Sequence, residues 1–353
     1  MQLGILGLAK AGKTTLFNTM TASRQETAKF AASKKTHVAV ARVPDPRLAR
    51  LRDLYEPKRY TPATVEYVDI PGIHKGEGSQ SLDLAKLRTV DALVHVVRAF
   101  EDPELPHPDG SVDPERDVET VDLELIFADH DVVERRLGRL ARSATAGLTP
   151  EEAREQQLLS GVVMPALERQ QPLREIELAA EDEKRLRGYQ LLSAKPILIV
   201  FNVSESAIGD AVADGEAGRE QLRIAVSAPI EEEISRLTPD EQREFLADLG
   251  LEEPSLDRVL RASFELLGLI AFFTVGEDEV RAWTVRRGTR AREAAGVIHS
   301  DLERGFIRAE VVAWDDLLRL GSLARARDEG LLRLEGKDYE IRDGDVAHFR
   351  FNV

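Results

Sequence analysis

Residues 7 to 15 read GLAKAGKTT, a Gly7-x-x-x-x-Gly12-Lys13-Thr14 pattern set between a short apolar run, Gln2 to Leu6, and a helix-compatible stretch, Thr15 to Met20. A strand-to-helix turn is the context in which this pattern has a physical use. Its glycines let backbone N–H groups turn inward towards phosphate oxygens, and the helix N-terminus adds a favourable dipole. Lys13 can then reach the β- and γ-phosphates, and the Thr14 hydroxyl can ligate Mg²⁺. Leu8, Ala9, Lys10, Ala11, Gly12, Lys13, Thr14 and Thr15 are therefore the first expected nucleotide contacts. Lys10 either adds a second cation near the phosphates or points into solvent.

A phosphate loop of this kind needs a metal-holding acid on a second strand. The β-rich run TVEYVDIPG supplies one, ending in Asp69-Ile70-Pro71-Gly72. Asp69 is expected to hold Mg²⁺ through water, and the Gly72 N–H to approach the γ-phosphate. Ile73 follows where Ras-like enzymes use Gln to orient the attacking water, and an apolar side chain cannot do that. Slow intrinsic turnover is the expectation. His74 and His107 are the nearby imidazoles, and His107 joins Lys13 and Gly72 in the expected catalytic set. Ser33 and Thr36 compete to be the hydroxyl that closes on the metal.

The base should be read after another buried strand, KPILIVFNVSE, at Asn202 to Glu205. GTPases carry Asn-Lys-x-Asp here, where the Asp carboxylate accepts from guanine's ring N–H and amino group and the Lys stem covers the base. In this chain Val203 replaces the Lys and Glu205 the Asp. Adenine offers no matching pair of donors and the longer Glu is displaced, so guanine selection is lost and ATP is the expected substrate. Ser227, in the run VSAP, belongs to the last base-flanking loop.

Together with the residues Lys75-Gly76-Glu77-Gly78 after the DxxG, the strings VDALVHVVRAFEDPELPH and FNVSE, and a tail reading AAGVIHSDLERGFIRAEVV and EGKDYEIRDGDVAHFRFNV, these motifs resemble the Obg-like ATPase family of YchF type over nearly the whole chain. The resemblance implies a P-loop GTPase-like α/β nucleotide domain, an inserted helical coiled-coil arm and a C-terminal β-grasp domain of TGS type. It also implies a preference for ATP over GTP at the Asn-x-x-Glu loop, and docking on the ribosome or its rRNA through the TGS-like domain and the arm. There are departures. The family usually has Pro-Asn-Val at Ala9-Lys10-Ala11 and Ala at Pro71, and its switch segment is several residues longer than GIHKGEG. A divergent member is the description that fits.

Organisation along the chain agrees with that reading. Strand signals stop from about 125 to 193, where Val132, Val133, Leu137 and Leu140, then Leu158, Leu159, Val162, Met164 and Leu167, recur at helical spacing. The turn between them offers Thr149 as N-cap, Pro150 at the first helical position and Glu151 and Glu152 in the first turn. An α-helical hairpin interrupting a nucleotide domain of residues 1–268 is expected, followed by a β-grasp-like domain over 269–353.

The formal charge is −15, which argues against a surface coated for nucleic acid, although basic stretches stand out within it. Residues 24–59 hold ten Lys and Arg (Arg24, Lys29, Lys34, Lys35, Arg42, Arg47, Arg50, Arg52, Lys58, Arg59) against four acids. Arg281, Arg286, Arg287, Arg290 and Arg292 surround Trp283. Each stretch meets rRNA phosphates or is a salt-bridged face. The absence of cysteine excludes disulfides, thiolate zinc sites and cysteine nucleophiles. The start lacks the pattern of a signal peptide and no run of eighteen apolar residues occurs, so a cytoplasmic protein without a membrane span is expected. The rival readings are an Obg-type GTPase with a degraded base loop and a non-catalytic adaptor holding ATP as a structural ligand.

Overall fold

The near-continuous apolar runs become strands buried on both faces, as a parallel sheet requires. The computed structural model of the chain describes residues 1–22, 37–70, 82–208 and 222–352. Expectations resting on Arg24, Lys29, Ser33, Lys34, Lys35, Thr36, Pro71, Gly72, Ile73, His74 and residues 75–78 lie outside the described residues. In chain order the first strands are β1 (Gln2–Leu6), β2 (His37–Arg42), β3 (Arg59–Thr61), β4 (Thr64–Asp69), β5 (Ala92–Ala99), β6 (Ile197–Val203) and β7 (Leu222–Val226). Six of them form a sheet in the order β2-β4-β1-β5-β6-β7. The β1–β4, β1–β5, β5–β6 and β6–β7 pairs are parallel.

The order steps outward from β1 on both sides, so the carboxyl ends of β1, β4, β5 and β6 share one edge of the sheet, where open α/β folds bind ligands. Helices α1 (Lys13–Ala22), α2 (Pro46–Tyr55) and α3 (Leu82–Thr89) follow in sequence. One apolar cluster joins the sheet to its covering helices through Leu6, Val68, Leu87, Leu93, Val121 and Ile197.

The helical interruption is present and begins earlier than expected. Asp113 caps α4 (Pro114–Ser143) by accepting from the Arg116 N–H, and Pro114 takes the first helical position, so the helix starts ahead of residue 125. Thr149 and Glu152 close a reciprocal capping box on α5 (Pro150–Leu158). The pair has its own core, with Ile126, Val133 and Leu140 packed against Leu158, Leu159, Val163 and Leu167. Asp129 pins the returning chain: its buried carboxylate accepts from the Leu192 N–H at 2.9 Å, the Ser193 N–H at 2.7 Å and the Ser193 hydroxyl at 2.8 Å.

Residues Met1–Ala39 and Glu66–Val259 make one compact unit; Val40–Val65 and Leu260–Val353 make a second. The stretch 40–65, which its place in sequence assigns to the nucleotide domain, thus packs with the tail. The second unit holds a mixed sheet in the order β11-β10-β12-β8-β9-β3, built from β3 with β8 (Leu269–Thr274), β9 (Glu279–Arg286), β10 (Phe306–Ala313), β11 (Arg333–Glu335) and β12 (Asp345–Phe351). β3 runs parallel to β9, with Thr61 Oγ1 donating to Glu279 at 2.7 Å. Arg47, in the first turn of α2, forms a two-pronged pair with Asp343 at 2.8 and 3.2 Å, and Asp343 also accepts from the Ala271 N–H. Behind the sheet, Phe272 and Phe349 meet edge to face at 5.8 Å beside Ala291, Ala294 and Ala295 of a helix over Ala291–Ile298.

Much of the basic character is spent inside this unit. Arg47 pairs with Asp45 and Asp343, Arg50 lies over Trp314, Arg52 over Tyr60, and Lys58 reaches Asp278. Arg281 stacks on Trp283 at 3.8 Å, Arg290 pairs with Asp338, and Arg292 donates to the Glu303 carbonyl. Trp283 packs partly buried against the core and donates to Thr274. No helix among the described residues is long and apolar enough to cross a membrane.

Candidate functional site

At the carboxyl edge of the first sheet a cavity of about 1050 Å³ opens, large enough for a nucleotide. Its floor is the turn between β1 and α1. Ala9, Lys10, Gly12, Lys13, Thr14 and Thr15 line it, joined by Asn202 and Val203 at the end of β6 and by Glu205 just after it. These are nine of the expected contacts. Leu8 and Ala11 are buried in the turn instead, and Ser227 is buried with its hydroxyl unpartnered, while its neighbours Ala228 and Pro229 form the wall.

The turn keeps its shape through contacts that only glycine allows. Gly12 has φ +93°, and a Cβ there would lie 2.3 Å from the Asn202 amide nitrogen. A Cβ on Gly7, at φ +146°, would lie 2.2 Å from the Val96 carbonyl oxygen. Both are closer than any side chain tolerates, so strand β5 and Asn202 press on the turn from behind.

Asn202 is a strut. Its Nδ2 donates to the Ala11 carbonyl at 3.1 Å and its Oδ1 accepts from the Ala228 N–H at 3.2 Å, so one amide ties the phosphate loop to the loop after β7. Both ends of the amide are taken, and Val203 and Glu205 line the cavity beside it. Glu205 is exposed at the rim.

Lys13 folds back over its own loop, donating to the carbonyls of Gly7 at 3.0 Å and Leu8 at 2.7 Å. Burial lowers its pKa to about 8, and the carboxylate of Asp69 pulls the other way. Asp69 ends β4 level with Ile5, placing the acid beside the turn that starts α1. With the exposed Thr14 hydroxyl on the cavity wall, these are hard oxygen donors suited to Mg²⁺.

His107 is held away from the cavity lining. Its Nε2 meets Asp117 at 2.8 Å and its Nδ1 accepts from the Asp109 N–H at 3.2 Å, with the ring 3 % exposed. The Asp109 contact leaves Nδ1 as the acceptor and puts the proton on Nε2. In this arrangement both nitrogens of His107, the imidazole expected in the catalytic set, are engaged by the protein.

Sequence reasoning missed the second wall. Phe100, Glu101, Asp102, Pro103 and Leu105 line the cavity opposite the phosphate loop. Arg98, 2 % exposed at the end of β5, shapes this stretch by donating to the carbonyls of Phe100 at 3.0 Å and Leu105 at 2.7 Å while stacking on the Phe100 ring. The available signal was topological: a loop at the carboxyl end of a central parallel strand. His95, on the same strand, also went unnoticed. It is fully buried with neither ring nitrogen hydrogen-bonded, and burial, then the charges of Lys13 and Arg174, lower its pKa to about 3, so it is neutral.

A family model described as a 50S ribosome-binding GTPase matches residues 2–131, and the YchF-GTPase C-terminal model, described as a protein of unknown function, matches residues 269–352. Over its length the chain is similar to proteins called ribosome-binding ATPase YchF. Identity is 45 % with that of Bacillus subtilis (strain 168) and 39 % with that of Escherichia coli O157:H7, each covering 99 % of both chains. It is 40 % with that of Mycoplasma genitalium, covering 100 % of both. The solved YchF GTPase of Schizosaccharomyces pombe matches with a TM-score of 0.87 at 31 % identity, over 99 % of this chain and 97 % of that one.

Proposed function

The chain belongs to the YchF family, and from that premise we propose that it is a cytoplasmic, ribosome-binding ATPase that hydrolyses ATP to ADP and phosphate with Mg²⁺. The observation that carries the reading is the single cavity bounded by the phosphate loop on one side and Val203 and Glu205 on the other. Triphosphate and base would lie along that line, with the loop amides and Lys13 on the phosphates.

Thr14 and Asp69 would hold Mg²⁺, which when bound neutralises charge on the phosphate oxygens. Lys13 would turn its ammonium from the Gly7 and Leu8 carbonyls to the phosphates. Val203, largely buried in the core, stands where GTPases put Lys, and Glu205 stands where they put the Asp that accepts from guanine, so ATP is selected by the loss of a guanine contact. His107, with both nitrogens occupied, would have to leave Asp117 before it could order a water, which accords with slow turnover in the absence of a partner. The ribosome is the partner expected to supply that trigger.

The test is equilibrium binding of ATP and GTP to nucleotide-free protein with Mg²⁺, alongside Lys13→Ala. ATP should bind at least about tenfold tighter, the equivalent of one lost bidentate contact to guanine, and Lys13→Ala should lose both. A tie, or a preference for GTP, ends the base-selection argument. Converting Val203 to Lys and Glu205 to Asp together should move the preference towards GTP.

A further inference from the structure

Lys10 stands in the left-handed region at φ 66°, where an L residue with a side chain pays a steric cost. Its side chain is exposed on the lip of the cavity, and its ammonium donates to the carbonyl oxygen of Pro106 at 3.2 Å, linking the phosphate loop to the opposite wall. That wall is fastened at two other points. Arg98 grips its root through the carbonyls of Phe100 and Leu105, and His107, the residue after Pro106, is fixed to Asp117. Both of those fastenings are buried, whereas the Lys10 contact faces the cavity and ends on a neutral acceptor.

We propose that Lys10 is a positioning residue that reads the terminal phosphate and releases or ties the wall loop accordingly; this rests on the ATPase reading above. A phosphate oxygen carries negative charge, so it offers the ammonium a Coulomb attraction that the neutral Pro106 carbonyl does not. A triphosphate in the cavity draws the ammonium from the Pro106 carbonyl, and the stretch 102–107 loses its tie at the lip. Once the γ-phosphate leaves, the carbonyl is again the best acceptor within reach and the tie re-forms. ATP therefore binds the untied wall better than ADP does, the differential a conformational change requires. By reciprocity, anything that holds the wall away from Lys10 raises the preference for ATP over ADP.

Hydrogen exchange on the full-length protein reads this directly, because the amides of Glu104 and Leu105 bond within the wall to Asp102 and report its order. Wild type, Lys10→Met and Lys10→Arg are compared with Mg²⁺ plus ADP or a non-hydrolysable ATP analogue, and nucleotide occupancy is measured in the same samples. In wild type the analogue should speed exchange over residues 102–107 by about threefold to tenfold relative to ADP, the range set by one hydrogen bond. Lys10→Met should exchange fast with both nucleotides, and Lys10→Arg should restore the difference. Equal exchange in the two wild-type complexes, or a difference that survives in Lys10→Met, overturns the proposal. The wild-type comparison decides alone if the methionine variant loses protection in β5 and β6 as well. Failure of wild type to bind either nucleotide sinks the ATPase reading, whereas binding without a response in the wall sinks the Lys10 proposal and leaves the ATPase reading standing.

Discussion

Gly12 has no side chain because Asn202 occupies the space one would need. The phosphate-loop pattern alone accounts for a glycine at that position, but its packing reason comes from 191 residues beyond Ala11, and no local reading could have found it. The same distance hid a second role of Asn202, which lines the cavity and also holds two loops together. Gly12→Ala should therefore abolish ATP binding and cost about 1–3 kcal/mol of stability, since the strained φ and the Asn202 contact both oppose a methyl group. Thermal unfolding and a binding titration check it, and a variant that binds as wild type would refute the packing account. Lys13 makes a second prediction. Its lowered pKa, about 8, means the free protein's ammonium loses its proton as pH rises through that value, while bound phosphates favour the charged form. Nucleotide binding then takes up a proton, and ATP affinity should fall by up to about tenfold per pH unit above 8. A dissociation constant that stays flat from pH 7 to 9.5 would contradict the buried ammonium.

Elements were legible where their ends carry local chemistry. Thr149, Pro150 and Glu152 announce α5 within four residues, and the structure forms their capping box. The earlier start of α4 was missed because its cap, Asp113-Pro114, sits outside the stretch where apolar periodicity is clear. The role of the wall loop was hidden for a different reason: residues 100–105 lie in a string that carries the family resemblance but no site chemistry of its own, and their shape is imposed by one buried guanidinium. Arg98→Met removes that donor and leaves the Phe100 and Leu105 carbonyls with no side-chain partner. We expect a loss of about 2–4 kcal/mol in stability and weaker binding of ATP, from the loss of charged hydrogen bonds in a buried site. Denaturant unfolding reads the first and a titration the second. Unchanged affinity in a folded Arg98→Met protein would show that the wall plays no part in holding nucleotide.

For the whole molecule, the division into two units was the least accessible feature. The tail's strands and helix could be read as a small β-grasp-like fold, but the strand at its sheet edge, β3, comes from residues 59–61 and the helix tied to it by Arg47 from residues 46–55. Sequence order places both within the nucleotide domain, and pattern reading has no means of detaching them. Asp343→Ala breaks the Arg47 pair and strands the Ala271 N–H, and should lower the stability of this unit by about 1–2 kcal/mol. In hydrogen exchange the amides of α2 and β3 should lose protection together with those of β8 and β9; amides of α2 that keep full protection while β8 and β9 open would contradict this assignment. The pairing of Thr61 with Glu279 spans 218 residues. A ribosome adding about 5–20 residues per second takes on the order of ten to forty seconds to cover that interval. Throughout that time the first piece of the second unit is already synthesised with its partner strand still unmade, so each new copy of this chain must keep β3 from pairing elsewhere until translation is nearly finished.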